Sequence, residues 1–598
     1  MGEQDDFNQW IAEGKALLEQ HRYQEALAAF EQALALDPQN ASAWSHKGAA
    51  LERLKRYEEA VAVCDCAIML DPALARAYSV KAVALKSLHR PQEALAVADQ
   101  AVALDPKDAD AHASRGDALL PLRRFQESLT AFEQAIALDP AHGRGWTGRS
   151  AALTNLKRYP EALAAAEHAL ALDPLYPDAH NNRAAALRNL RRYREALGEY
   201  ERAIQLDPAN AIFYSNMSLV LDNLKRPNEA LAACEQAIAL DPLLASAYSN
   251  KGAALHSLKR YAEALEAHER AIALDPQLAS AYNNKGVALS DLKRYAEALE
   301  AHDRAIALDP QLAAAYSNKG SVLQNLKRYE EALAALQRAI QLDPSRAPAY
   351  NGMGRLLHVL KRHDEALAAC DHAIALDPTL AAAYNNKGAV LRDLGRYEEA
   401  LAAYERAIEL DPTQALFFTN KGVLLDGLRR FFEALAAHER AIQLNPNLPI
   451  AYNNKGATLY KIRRYELAQG NIALARHYEQ AMLAAYERAI QLDPSNQAAY
   501  HNRGQALIDL NRPQEALADF DRAIQLDAMD KLAYLNKGSA LRLLGRYDAA
   551  LLVYDQVLQL DPRFALAYRG RAAALWNLQR YLGAIWTYLR YLSLPLQS

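Results

Sequence analysis

The tripeptide Leu-Asp-Pro returns along this chain every 34 residues, with its proline at 38, 72, 106, 140, 174, 208, 242, 276, 310, 344, 378 and 412. Such a short fixed period constrains the fold strongly. Each unit must be one supersecondary element that buries its apolar face only by stacking on its neighbours. The series continues at Pro446 within Leu-Asn-Pro, steps by 48 to Pro494, passes Ala528 and reaches Pro562. The period predicts seventeen units of 34 residues over 7–598 after a short N-terminal tail, 1–6; the fourteenth unit carries 14 extra residues near 466–479.

Within the unit that spans 279–312, Tyr282, Gly286 and Leu289 follow i, i+4, i+7 spacing and predict one stripe of a helix. Ala298, His302 and Ala305 predict a second helix, with Lys293-Arg294-Tyr295 as the connection. Small residues at Gly286, Ala298 and Ala305 let backbones approach, and large ones fill the gaps between them. Pro310 lacks an N–H and disfavours helix at the residue before it, so it closes the unit.

With aromatic, Gly/Ala, Leu, Ala, aromatic, Ala and Pro at seven positions, the pattern resembles the tetratricopeptide repeat family over residues 7–598. The resemblance implies an all-α fold, a right-handed α-α superhelix whose first helices line a concave groove and whose second helices face outward. It also implies protein or peptide ligands in that groove.

Composition narrows the partners. The chain has 68 basic and 72 acidic residues, a net charge of -4, and so lacks the basic footprint of a nucleic-acid binder. It has no run of eighteen apolar residues, and it opens Met1-Gly2-Glu3-Gln4-Asp5-Asp6, acidic where a secretory signal is basic. Asp6 stands where N-myristoylation of Gly2 needs Ser or Thr. A soluble, cytoplasmic protein without a membrane or nucleic-acid partner is expected.

Chemistry-bearing motifs are missing. There is no G-x-x-x-x-G-K-[ST], G-x-S-x-G or H-E-x-x-H. Cys64, Cys234 and Cys370 fall on one repeat position, filled elsewhere by Phe30, Phe132, Tyr200 or Tyr404, and read as small core residues. Cys66 makes a C-x-C without a second pair. His268, His302 and His438 also share one buried-side position and lack the further ligands that a metal needs. No cofactor, no metal and no enzyme activity are expected.

Two rows depart from the family pattern. Lys47, Lys251, Lys285, Lys319, Lys387, Lys421, Lys455 and Lys537 precede the small residue, where an aliphatic stem can cover apolar surface and the ammonium can reach water or a carboxylate. One place earlier stand Asn182, Asn216, Asn250, Asn284, Asn318, Asn386, Asn420, Asn454, Asn502 and Asn536, with Gly352 and Gly570 as the exceptions. Asn is a mediocre helix former, so its recurrence points to its amide, which offers the donor and acceptor that a peptide backbone needs. The competing reading is that each Asn bonds its neighbouring repeat or was copied by duplication. The row resembles the asparagine ladder in the repeat region of O-linked N-acetylglucosamine transferases, which implies a backbone-binding role for these ten residues. The likeness stops at the repeats, so the transferase activity is not carried over.

A carboxylate clamp, as in chaperone-binding relatives, needs Lys or Arg at set groove positions of adjacent repeats, and none is found. The groove is expected to carry small and polar side chains, such as Ala253, Val287, Ser321 and Ala389. The first five repeats lack the ladder and show His46, Val80, Ser114 and Gly148 in its place, with charges at Arg76, Asp110, Asp117 and Arg144. The insertion is expected at the start of a second helix, either as a continuous helix projecting about 21 Å or as a loop broken at Gly470-Asn471, and in either form as a contact for a partner or for a second copy of the chain. Tyr591 stands where other repeats keep a small Ala, and Trp576, Trp586, Tyr588, Leu589 and Leu592 make the last unit apolar, which suggests a homodimer contact and a natural end of the array. The alternative to a peptide-holding adaptor is a structural spacer or self-assembling rod.

Overall fold

A computed structural model describes residues 2–594, with side chains from residue 5, as 34 α-helices and no strand among those residues. They pair into seventeen antiparallel hairpins, one per unit. The chain divides into two compact units, Met1–Pro310 and Gln311–Ser598. Each is an α-α superhelix in which every hairpin stacks on the next.

The ninth hairpin shows why the sequence folds this way. Its helices, Ala279–Asp291 and Tyr295–Leu308, are separated by a tight turn in which Lys293 takes φ 61°. Non-glycine residues rarely enter this left-handed region. The same turn position carries positive φ in sixteen repeats, with Gly395 and Gly545 as its only glycines. After the turn, the Arg294 guanidinium donates to both Glu297 carboxylate oxygens, at 2.7 and 2.6 Å, which places an acid in the first turn where the helix dipole favours it. At the other end of the second helix of repeat 8, the Asp275 carboxylate accepts from the Gln277 N–H at 2.9 Å, so the Asp-Pro corner satisfies its own backbone.

Hairpins lock by large-into-small packing. A Cβ on Gly286 would lie 2.6 Å from the His302 ring, and one on Gly388 would lie 2.8 Å from Tyr404. Cys64, Cys234 and Cys370 occupy the same slot, fully buried, and burial pushes their thiols up to about 12, 11 and 12. These cysteines are packing groups, as their register suggests. The lysine row behaves as its stems predict. Lys285 reaches Glu269 at 2.8 Å, Lys421 reaches Glu405 at 2.8 Å and Lys455 reaches Glu439 at 2.9 Å, each acid belonging to the preceding repeat.

The structure revises two boundaries. Residues 2–6, expected as a tail, belong to the first helix, Gly2–Glu19. The 14 extra residues of repeat 14 do not all extend the second helix, and they do not form a loop. The two helices, Pro449–Ala468 and Ile472–Leu492, have 20 and 21 residues against 13 and 14 in repeat 9, so each gains seven. Seven residues are close to two turns, so the register of the inward face survives and the hairpin lengthens by about 10 Å. Arg463, at the usual turn position, is helical and only 9% exposed, and the left-handed turn residue becomes Gly470 at φ 81°. The Asn471 side chain donates to Glu466 at 2.6 Å and closes the longer turn.

Candidate functional site

The inward face of the first helices is fixed by side-chain contacts between successive repeats. Arg144, second residue of its helix (Gly143–Asn155), donates to Ser114 at 3.0 Å and to Asp117 at 2.8 Å, the sixth and ninth positions of the preceding repeat. Positions 2, 6 and 9 therefore share one face, and the asparagine row is its sixth position.

All ten asparagines are half-buried on that face. In the first unit, the Asn182 amide donates to the Thr147 carbonyl at 3.0 Å, Asn216 to Asn181 Oδ1 at 3.0 Å, and Asn250 to the Ser215 carbonyl at 2.9 Å. Asn284 accepts from Asn283 at 3.3 Å. In the second unit, Asn386 donates to Asn351 Oδ1 at 2.8 Å, Asn420 to Asn385 Oδ1 at 2.8 Å, and Asn502 to Asn453 Oδ1 at 3.1 Å. Asn454 accepts from Asn453 at 3.3 Å, and Asn536 pairs with His501 at 3.4 Å. Asn318 lies on the same face in repeat 10.

The recurring partner is the fifth residue of the preceding repeat: Asn181, Ser215, Asn351, Asn385, Asn453 or His501. The periodicity points to the sixth position and not to its mate at the fifth; the signal for the mate is the polar residue at the fifth position of repeats 5–15, from Thr147 to His501. One N–H of the amide thus ties two repeats together. The Oδ1 atoms of Asn216, Asn250, Asn386, Asn420 and Asn502 have no hydrogen-bond partner within the described chain and stand at a half-buried surface.

At the two glycines of the row the large side chain of the preceding repeat takes up the space beside the backbone. A Cβ on Gly352 would lie 3.0 Å from Leu336, and one on Gly570 would lie 2.6 Å from the Tyr554 ring.

Repeats 2–6 carry a different lining. Asp117 pairs with Arg144 at 2.8 Å and Lys86 at 3.8 Å; burial alone would raise its carboxyl, but these two cations hold it below the usual range. Asp110, hydrogen-bonded to His142 at 3.2 Å, is drawn down to about 2, first by that bond and then by Arg144. Burial raises Tyr176, which lies near Asp178, Arg53 and Arg144. Within this unit the Lys55 ammonium meets Asp207 at 3.5 Å, which brings the turn of repeat 2 to the Asp-Pro corner of repeat 6.

Two further surfaces stand out. The tip of the long hairpin exposes Tyr465, Leu467, Ile472 and Leu474. The last hairpin exposes Leu582 (86%), Trp586 (70%) and Leu592 (61%), beside an apolar hollow of about 350 Å³ walled by Trp576, Ile585, Tyr588 and Leu589. Among the described residues no three His, Cys, Asp or Glu side chains cluster to hold a metal, and no helix is long and apolar enough to cross a membrane.

Stacked hairpins of this size with a ladder along the inner face define a helical-repeat solenoid. Models described as tetratricopeptide repeat match residues 11–75, 80–143, 114–173, 177–210, 211–242, 245–346, 347–380, 381–414, 467–530, 501–563 and 535–594, and the chain belongs to the tetratricopeptide repeat family. A chain in the crystal structure of the APC/C hetero-tetramer Cut9-Hcn1 is similar in fold, with a TM-score of 0.50 and 16% identity over 75% of this chain and 95% of that one. No curated protein matches in sequence. The family and the architecture make this chain a protein–protein interaction scaffold, and no enzyme family is matched.

Proposed function

We propose that the protein is an adaptor that holds extended polypeptide segments against the inner face of its first helices, by their backbones, through the asparagine row. The observation that carries this reading is the set of Oδ1 atoms on the half-buried Asn216, Asn250, Asn386, Asn420 and Asn502, which have no hydrogen-bond partner among the described residues. An extended peptide offers an N–H at every residue and can supply what these acceptors lack. Near-neutral charge fits a protein partner better than nucleic acid or a membrane surface, and the cytoplasm is the compartment we assign.

The test is affinity capture with quantitative mass spectrometry, wild type against a variant in which Asn250, Asn284, Asn386 and Asn420 are all Ala. Loss of bound polypeptides with helical circular dichroism retained supports the adaptor; an unchanged set of partners contradicts it and leaves the row a tie between repeats.

A second reading, pairing of two copies, is favoured by the exposed apolar residues of the last hairpin. Sedimentation from low micromolar upward that shows only a 66.1 kDa species contradicts it.

A further inference from the structure

Position 2 of the first helix changes character along the chain. In repeats 3 to 6 it is Arg76, Asp110, Arg144 and Asp178, a series of alternating charge in which Arg144 pairs with Asp110 at 3.8 Å. In repeats 8 to 10 it is Ser246, Ser280 and Ala314. In repeats 13 to 17 it becomes Leu416, Ile450, Ala498, Leu532 and Leu566. The four large members are exposed at 52, 47, 49 and 42% respectively, although each sits in the first turn of a well-packed helix.

The Arg144 contacts place a position-2 side chain beside positions 6 and 9 of the repeat before it. By that equivalence Ile450 stands beside Asn420 and Val423, Leu532 beside Asn502 and Gln505, and Leu566 beside Asn536 and Ser539. Across repeats 13–17 the fifteen residues at positions 2, 6 and 9 include no charged side chain. In repeats 3–6 five of the twelve are charged: Arg76, Asp110, Asp117, Arg144 and Asp178. A ligand side chain carrying a charge would lose water on the C-terminal face and find no partner there, whereas an apolar one would cover exposed aliphatic surface.

We propose that repeats 13–17 select uncharged, extended peptide segments with aliphatic side chains, which pack on Leu416, Ile450, Leu532 and Leu566 while the neighbouring asparagines hold the backbone. This deepens the adaptor reading and rests on it for the backbone contacts. Packed helices lie about 8–10 Å apart, and an extended chain in the polyproline-II conformation has three residues per turn at about 3.1 Å each, so an aliphatic residue at every third position stays on one face and matches one contact per repeat. The charged lining of repeats 3–6 suits a different segment.

The full-length protein, fluorescently labelled, is applied to an array of 15-residue synthetic peptides that carry Leu, Ser, Asp or Lys at every third position in a Thr/Gly/Gln background. The expected result is binding of the Leu series at least ten-fold tighter than the Ser, Asp or Lys series. A variant with Leu416, Ile450, Leu532 and Leu566 all replaced by Ser, exposed changes that leave helicity intact, should erase that preference. A second variant, with Asn420, Asn454, Asn502 and Asn536 replaced by Ala, should weaken all series alike. Equal binding of the Leu and Ser series, or a Leu preference that survives in the first variant, overturns the proposal. If the first variant loses binding and the second does not, the apolar row acts and the backbone reading fails.

Discussion

The side-chain amide of Asn420 donates to Oδ1 of Asn385 at 2.8 Å, a bond between the sixth residue of one first helix and the fifth residue of the one before. The same geometry joins Asn386 to Asn351 and Asn216 to Asn181. A ladder assigned to ligand is thus also a seam between repeats. The Asn420→Ala change is expected to cost about 1 kcal/mol, the usual net worth of a hydrogen bond at a half-buried site, read as a lower urea midpoint at unchanged slope. A change of 0.2 kcal/mol or less would separate the ladder from the packing altogether.

The buried histidines make a pH-dependent prediction. His268 and His438 are almost wholly buried against Gly252 and Gly422, and burial lowers both imidazoles to about 4. Unfolded, each titrates near 6.5. Above pH 6.5 both states are neutral and nothing is lost; as pH falls from 6.5 towards 4 the unfolded chain binds protons that the folded one refuses, so stability drops by up to about 3 kcal/mol per histidine. Phe fills this slot at Phe30, Phe132 and Phe520. The H268F/H438F variant should lose much less stability between pH 7 and pH 4.5 than the wild type in urea titrations; parallel losses would contradict the assignment.

Two glycines should respond with opposite sign. Gly388→Ala drives a methyl to within 2.8 Å of the Tyr404 ring and should destabilise by about 1–3 kcal/mol. Gly198, in the helix Tyr193–Leu206, has nothing within 4 Å of a built Cβ, so Gly198→Ala should stabilise by about 1 kcal/mol through helix propensity alone. Thermal midpoints moving in the same direction would refute the packing account.

The period was enough to read the hairpins, because a packed slot such as Gly286 against His302 leaves its mark as a small residue and a large one at fixed spacing. The turn residue was harder. Lys293 has a left-handed backbone without being glycine, and no composition rule points to it. The place of the insertion is legible but its division is not, for a related reason: seven residues on each side of Gly470 keep both inward faces in register, so sequence alone does not divide them between the helices. At the candidate site the sixth position was visible from its recurrence. Its mate at the fifth position varies among Asn, Ser and His and shows its purpose only when two repeats are stacked.

The thiols offer a quick check on the core. With Cys64, Cys234 and Cys370 fully buried and pushed up to about 11–12, a thiol reagent at pH 8 should modify at most Cys66 in the native protein and all four cysteines in denaturant. Two or more fast native thiols would mean that the slot opens.

The central claim is that the inner face of the first helices is where polypeptide ligands lie. Site-specific photo-crosslinking addresses it most directly, with a photoreactive residue placed singly at Ala389, Val423 or Ala457 on that face, or at Arg406 or Arg440 on exposed surface of the second helices. The account predicts crosslinks to bound polypeptide from the first three positions and none from Arg406 or Arg440. Crosslinks confined to the second helices would contradict it.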